Sequence, residues 1–179
     1  AEEEIGGHSV VDWVAEDGGR ADVAIVLDGG YETETLPSFV TALRGICYFH
    51  VTVRTGERDL HSGMYGGAAL TATHALLDVL AAVLPGPDGR LPEALRAGIV
   101  APSEEEVAAW ERLPSGEDEL AGAGAVASDE RAAAEFRLRT TAEPSVTVNV
   151  LAGGSPRLQK TVLPLEAHAI VSVRLAPGQ

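Results

Sequence analysis

The sequence predicts an α+β fold built on an antiparallel sheet with one open face. Three observations predict it. Residues 45–54 (G-I-C-Y-F-H-V-T-V-R) alternate, with Cys47, Phe49, Val51 and Val53 on one uniformly apolar side and Ile46, Tyr48, His50 and Thr52 on the other. A strand with a single buried side belongs to a half-exposed sheet, and such sheets are antiparallel. Between Gly67 and Leu84, the residues Ala69, Thr73, Leu76, Leu77, Leu80, Val83 and Leu84 recur at helical spacing, and Pro85-Gly86-Pro87 ends the run. Two more alternating strands close the chain: Ser145 to Leu151, through Val146, Val148 and Val150, and Ala167 to Leu175, through Ala167, Ala169, Val171 and Val173.

The elements before and between these follow from local signals. Ser9 with Asp12 gives a helix start, Val10, Val11, Trp13 and Val14 supply an apolar side, and Gly18-Gly19 ends the helix. Ala21 to Leu27 is a short apolar run, the pattern of a strand buried on both faces, and it stops at Asp28-Gly29-Gly30. A helix followed by such a strand belongs to an α/β layer. From Asp88 to about Pro144 the chain is rich in Ala, Glu, Arg and Gly. Ser103 with Glu106 caps one helix there, carrying Val107, Trp110 and Leu113, and Ser128 to Arg139 reads as another. The stretches at Pro114-Ser115-Gly116 and Gly122–Gly124 interrupt this region, which reads as a helical insertion.

Composition narrows the partners. The chain has 179 residues, 45% of them hydrophobic, which allows one domain or a small one with part of a second. With 27 acidic against 13 basic residues the net charge is -14, so phosphate backbones and anionic lipid are repelled, and neither nucleic acid nor a membrane surface is expected. No apolar run approaches the roughly 18 residues of a membrane span. The acidic N-terminus, Glu2-Glu3-Glu4, does not resemble a signal peptide, which predicts a cytoplasmic protein. The single cysteine, Cys47, excludes an internal disulfide and reads as a small buried hydrophobe.

Several side chains could carry chemistry, and spacing alone leaves each open to a plainer reading. Glu3 and Glu4 form an acidic cluster or a solvated end. Asp28 closes a buried strand, where ligand sites in α/β layers lie, or opens a turn. His61, in Asp59-Leu60-His61-Ser62-Gly63, sits on a loop between a strand and a helix, where it is an oxyanion donor or an exposed histidine. Thr161 and Arg174 flank the turn at Pro164, as a carboxylate clamp or as surface groups. His8, His50, His74 and His168 have less to recommend them. No Walker loop, G-x-G-x-x-G, C-x-x-C, G-x-S-x-G or H-E-x-x-H occurs.

Six segments taken in order carry a resemblance. They are E-E-I-G at Glu3 to Gly6, the strand ending in Asp28, L-R-G-I-C-Y-F at Leu43 to Phe49, D-L-H-S-G-x-Y-G-G at Asp59 to Gly67, P-S-V-T-V-N at Pro144 to Asn149, and K-T-V-L-P through V-R-L-A-P at Lys160 to Pro177. The series resembles the di-zinc aminopeptidase and carboxypeptidase family that includes carnosine dipeptidase, succinyl-diaminopimelate desuccinylase and bacterial dipeptidases, and is most similar to the dipeptidase branch. The resemblance implies that residues 1–40 are a helix-strand remnant of an α/β catalytic domain. It implies that residues 43–179 are a lid and dimerisation domain of ferredoxin-like β-α-β-β-α-β pattern, truncated after Gln179, with a helical insertion at about 88–143.

The same resemblance assigns roles. Glu3 matches the general base, Glu4 a ligand of one zinc and Asp28 a ligand of the other. Two zinc ions roughly 3.5–4 Å apart would acidify a bridging water and polarise the scissile carbonyl. His61 matches the lid histidine that reaches into the partner subunit's site and stabilises the oxyanion. Thr161 and Arg174 match residues that hold the substrate's carboxylate end. The parent would be a homodimeric hydrolase of peptides or acylated amino acids, cutting a bond near a free carboxylate. The family's remaining metal ligands are not in these residues, so the chain alone is expected to bind no zinc and to be inactive. A stand-alone dimerisation or binding module is the alternative.

Overall fold

A computed structural model describes residues 8–19, 22–23, 25, 30–38, 42–154 and 157–179. The chain divides into two compact units, Ala1–Val40 and Thr41–Gln179.

In the first unit, α1 (His8–Glu16) begins one residue ahead of Ser9, within the usual uncertainty of a helix end. Its apolar residues Val10, Val11, Trp13 and Val14 are all exposed. A short hairpin follows, with β1 (Tyr31–Thr33) antiparallel to β2 (Leu36–Pro37). The strand expected over Ala21 to Leu27 lies partly outside the described residues. Of its members that are described, Val23 and Ile25 are exposed and in no strand, which corrects the expectation of burial on both faces at those positions. No strand among the described residues lies beside them to cover them. Glu3, Glu4 and Asp28 lie outside the described residues.

The second unit runs β3 (Ile46–Arg54), β4 (Leu60–His61), α2 (Ser62–Tyr65), α3 (Ala72–Ala81), α4 (Glu93–Arg96), α5 (Glu104–Trp110), α6 (Gly116–Gly122), a π-helical turn at Leu138–Ala142, β5 (Ser145–Gly153), β6 (Val162–Leu163) and β7 (Glu166–Arg174). The main sheet has the order β3-β7-β5, with β7 in the centre and antiparallel to both neighbours. One face carries α3, and this is the α+β architecture the strand patterns predict.

The core forms where that helix meets the sheet. Ala72, Leu76 and Leu80 pack on Ala167, Ala169 and Val171, flanked by Val51, Val53, Leu84, Val146 and Val148. The helix stripe is therefore 72/76/80, spaced by four. Leu77, expected on the buried side, is 46% exposed, and the helix starts at Ala72 rather than Gly67. The expected inward face of β3 is confirmed for Val51 and Val53 only. Phe49 is 53% exposed, and Cys47 is exposed rather than buried. For Cys47 the reason is length: a ten-residue helix covers about 15 Å, half of a nine-residue strand's ~30 Å, and the core strip on β7 ends at Val171, short of the Val173 opposite Cys47.

A bulge redirects β5. Val148 faces Val171, but the next pairing joins Val150 to Ile170, leaving Asn149 as the extra residue. One inserted residue turns the remainder of a strand over. Val150, expected on the same face as Val146 and Val148, is thereby moved to the open face. Beyond the bulge, Gly153 lets the strand close on α3: a Cβ there would stand 2.6 Å from Thr73 Oγ1.

The insertion holds more helix than expected in one place and less in another. The Ser103–Glu106 capping box forms, the hydroxyl accepting from the Glu106 amide (3.2 Å) and the carboxylate from the Ser103 amide (2.7 Å). The Pro114-Ser115-Gly116 stretch interrupts as expected: α5 ends at Trp110, and Ser115 caps α6, which starts at Gly116. Residues 128–139, expected as helix, are turns over 130–135 that pass into the π-helical turn. Within these turns the Asp129 carboxylate accepts from the Arg131 amide (3.0 Å) and from the Arg139 guanidinium. Arg139 also pairs with Glu135, and Arg96 with Glu143 (2.7 Å).

Candidate functional site

His61 is positioned by backbone. After β3, the chain turns and pairs β4 with β6, His61 opposite Val162 and Leu60 opposite Leu163. The Ser62 amide extends this ladder by donating to the Thr161 carbonyl at 2.9 Å. Leu165 fastens the base of the arrangement: its amide donates to Asp59 Oδ1 (3.0 Å) and its carbonyl accepts from the Thr55 amide (3.0 Å). The D-L-H-S-G and K-T-V-L-P segments, separate in sequence, are thus one structure. The expected loop between a strand and a helix is itself a two-residue strand that leads directly into α2.

The imidazole has a defined orientation. Nδ1 accepts from the Gly63 amide at 3.0 Å, so in the neutral ring the proton resides on Nε2. Gly63 permits this approach, since a Cβ there would stand 2.9 Å from His61 Cε1. The side chain is exposed, and an Nε2–H held outward by a fixed Nδ1 is a competent donor to a developing oxyanion.

Thr161 lies beside His61, but Arg174 does not. Arg174 ends β7, opposite Ile46 and Ser145, whereas the β4–β6 ladder precedes the other end of the strand at Glu166. Eight residue steps along β7 separate Glu166 from Arg174, about 27 Å at strand rise. The clamp expected from Thr161 and Arg174 together is therefore not formed within one chain. The 13-residue interval misled because it is spent along an extended strand rather than around the Pro164 turn.

The Arg174 end holds a second guanidinium. Arg44 Nη1 donates to the carbonyls of Glu143 (3.1 Å) and Arg139 (3.3 Å). Burial, and then the charge of Arg174, hold Arg44 below the usual basicity of its type. Arg44 lies in the L-R-G-I-C-Y-F segment, where no pattern marks it as functional, and only the pairing register reveals its neighbour.

The described residues include no group of three or more His, Cys, Asp and Glu side chains able to hold a metal. On the open face of the sheet His168 hydrogen-bonds Thr52 (3.1 Å) and lies 3.7 Å from Glu166, which is a satisfied surface pair rather than a ligand set. No helix among the described residues is long and apolar enough to cross a membrane.

Comparison with known proteins bears on the family and the fold. A family profile described as "Peptidase dimerisation domain" matches residues 41–179. A Cys-Gly metallodipeptidase of Schizosaccharomyces pombe is 28% identical over 170 residues, covering 89% of this chain and 34% of its own. A cysteinylglycine-S-conjugate dipeptidase of Corynebacterium striatum is 42% identical over 60 residues, 34% of this chain and 13% of its own. Among solved structures, the dipeptidase Dug1p of Saccharomyces cerevisiae superposes with a TM-score of 0.64 at 25% identity, over 76% of this chain and 29% of that one. An M20 family metallo-carboxypeptidase from Sulfolobus solfataricus shares the fold at a TM-score of 0.65 and 20% identity, over 76% of this chain and 36% of that one. The chain thus spans about a third or less of the length of these relatives.

Proposed function

The chain belongs to the M20 peptidase dimerisation domain family, and on that premise we propose that it is the lid and dimerisation segment of a dipeptidase-like metallohydrolase. The domain division of the reading is residues 1–40 for the catalytic remnant and 43–179 for the lid. The parent works as a homodimer in the cytoplasm, on peptides or acylated amino acids with a free carboxylate, and this chain by itself is inactive.

The observation that carries the reading is the fixed His61 ring. With Nδ1 engaged by Gly63, the Nε2–H is aimed by backbone and needs no reorganisation as charge develops on the scissile carbonyl oxygen. Thr161, joined to His61 through the Ser62 amide, accompanies it. Arg174, at the far end of β7, then serves a different site from the His61 and Thr161 of its own chain. Each active site of the dimer would combine its own Arg174 with the partner's histidine and threonine, the arginine holding the substrate carboxylate.

Glu3 as general base, and Glu4 and Asp28 each as a ligand of one of two zinc ions, rest on their sequence motifs. The described lid residues do not form a metal site, and no lid function above depends on one.

The test is hydrolysis of Cys-Gly by the full-length metal-loaded protein. A His61→Ala change should lower kcat roughly 100- to 1,000-fold, the usual cost of one oxyanion donor. Unchanged kcat in that variant would remove His61 from the chemistry.

A further inference from the structure

We propose that Arg44 joins Arg174 in a paired-guanidinium seat for a carboxylate, making Arg44 a positioning residue for the substrate's charged end. This rests on the reading of Arg174 given above.

The pairing register brings the two side chains together. Ile46 faces Arg174, and the Leu175 amide donates to the Gly45 carbonyl at 2.9 Å, so the ladder continues toward Arg44. Ile46 and Arg174 therefore share the sheet face opposite α3, and Arg44, two residues before Ile46, lies within electrostatic reach of Arg174. Arg44 is anchored through Nη1 on the Glu143 and Arg139 carbonyls, which fixes its plane. No other donor of its fork is bonded among the described residues.

Charge makes the pairing unusual. Both side chains are guanidinium cations, and the charge of Arg174, after burial, disfavours the charged form of Arg44. In a chain with 27 acidic residues, neighbouring carboxylates could neutralise them, yet no ion pair among the described residues involves either arginine. The nearest acid in the chain path, Glu143, gives its carboxylate to Arg96 at 2.7 and 3.0 Å and only its carbonyl to Arg44. Arg54, Arg96, Arg131, Arg137 and Arg139 are all matched with acids. Two neighbouring arginines with no acid partner among the described residues are suited to a planar, bidentate anion, and a carboxylate has that shape.

The test is a titration of the 15N-labelled chain with acetate at constant ionic strength, balanced with chloride, following the arginine Nε–Hε resonances. The Arg44 and Arg174 signals should move on one saturable curve that chloride does not reproduce. Arg44→Gln should weaken the Arg174 response about tenfold, the loss expected for one charge-assisted hydrogen bond. Arg174→Gln should likewise weaken the response of Arg44. An Arg174 curve unchanged in Arg44→Gln would overturn the proposal. Should that variant misfold for want of the Glu143 and Arg139 anchors, the unaltered chain decides: an Arg44 signal that stays still while Arg174 moves overturns it as well. The seat is read from the acetate titration alone, and the function proposed above from hydrolysis by the parent. Joint acetate binding with no peptidase activity in the parent would uphold this seat and sink that function. Peptidase activity in the parent, with Arg174 binding acetate without Arg44, would do the reverse.

Discussion

The amide of Ser62 donates to the carbonyl of Thr161 across 2.9 Å, joining residues 99 positions apart at the end of the β4–β6 ladder. Through this bond His61 and Thr161 form a single rigid unit. A preorganised oxyanion donor requires that unit to be built before any ligand arrives.

Its rigidity is testable at Asp59. The carboxylate accepts from the Leu165 amide at an exposed site, so Asp59→Ala should cost about 1 kcal/mol and no more. The larger effect should be local. Amide exchange of Leu165 and Ser62 should accelerate, while exchange in β7 stays slow.

Gly63 gives a separate handle on His61. In Gly63→Ala the new methyl meets the imidazole at 2.9 Å, so the ring must rotate off its amide partner. Long-range 15N spectra of the unaltered chain should show the neutral ring protonated on Nε2. In the variant that preference should weaken, with little change in the thermal midpoint.

How much of this was legible in the sequence follows the length over which a pattern repeats. The three long strands and α3 were read in the right order, because alternation over nine residues and a stripe over ten are strong signals. β4 and β6 were not read, since two residues each carry no period; they exist because Leu165, Thr55 and Asp59 bond across the loop. The Asn149 bulge was hidden for a different reason. Val146, Val148 and Val150 alternate faultlessly in sequence, and only the pairing with Ile170 shows the strand turning over. Of the candidate site residues, His61 and Thr161 are brought together and Arg174 is carried away from both. Spacing does not distinguish a turn from an extended path.

The helix stripe makes a clear stability prediction. Leu76 is fully buried, so Leu76→Ala should cost about 2–5 kcal/mol in denaturant unfolding. Leu77→Ala, one residue on, should cost less than about 1 kcal/mol. Equal losses would mean that the helix packs on a different stripe.

Acid should loosen the insertion. Hydrogen bonds from Arg139 are the first cause that holds the carboxyls of Asp129 and Glu135 below the usual range. Groups whose folded pKa is depressed contribute stability that is fully present above the unfolded values near 4, and it is lost as pH falls through the lower folded values. Tm should therefore fall as the pH is lowered through and below about 4. In Arg139→Gln the Tm at neutral pH should already be lower, and its decline with acid shallower.

If one active site draws Arg174 from one subunit and His61 from the other, mixing two inactive variants restores activity. Full-length His61→Ala and Arg174→Ala proteins would be dissociated, mixed in equal amounts and reassociated. Each mixed dimer then holds one intact site, formed by the Arg174 of the first subunit and the His61 of the second. With random pairing, about a quarter of wild-type turnover should return. If activity stays at the level of the separate variants although mixed dimers form, both residues serve the same subunit's site, and the division of labour along β7 is wrong.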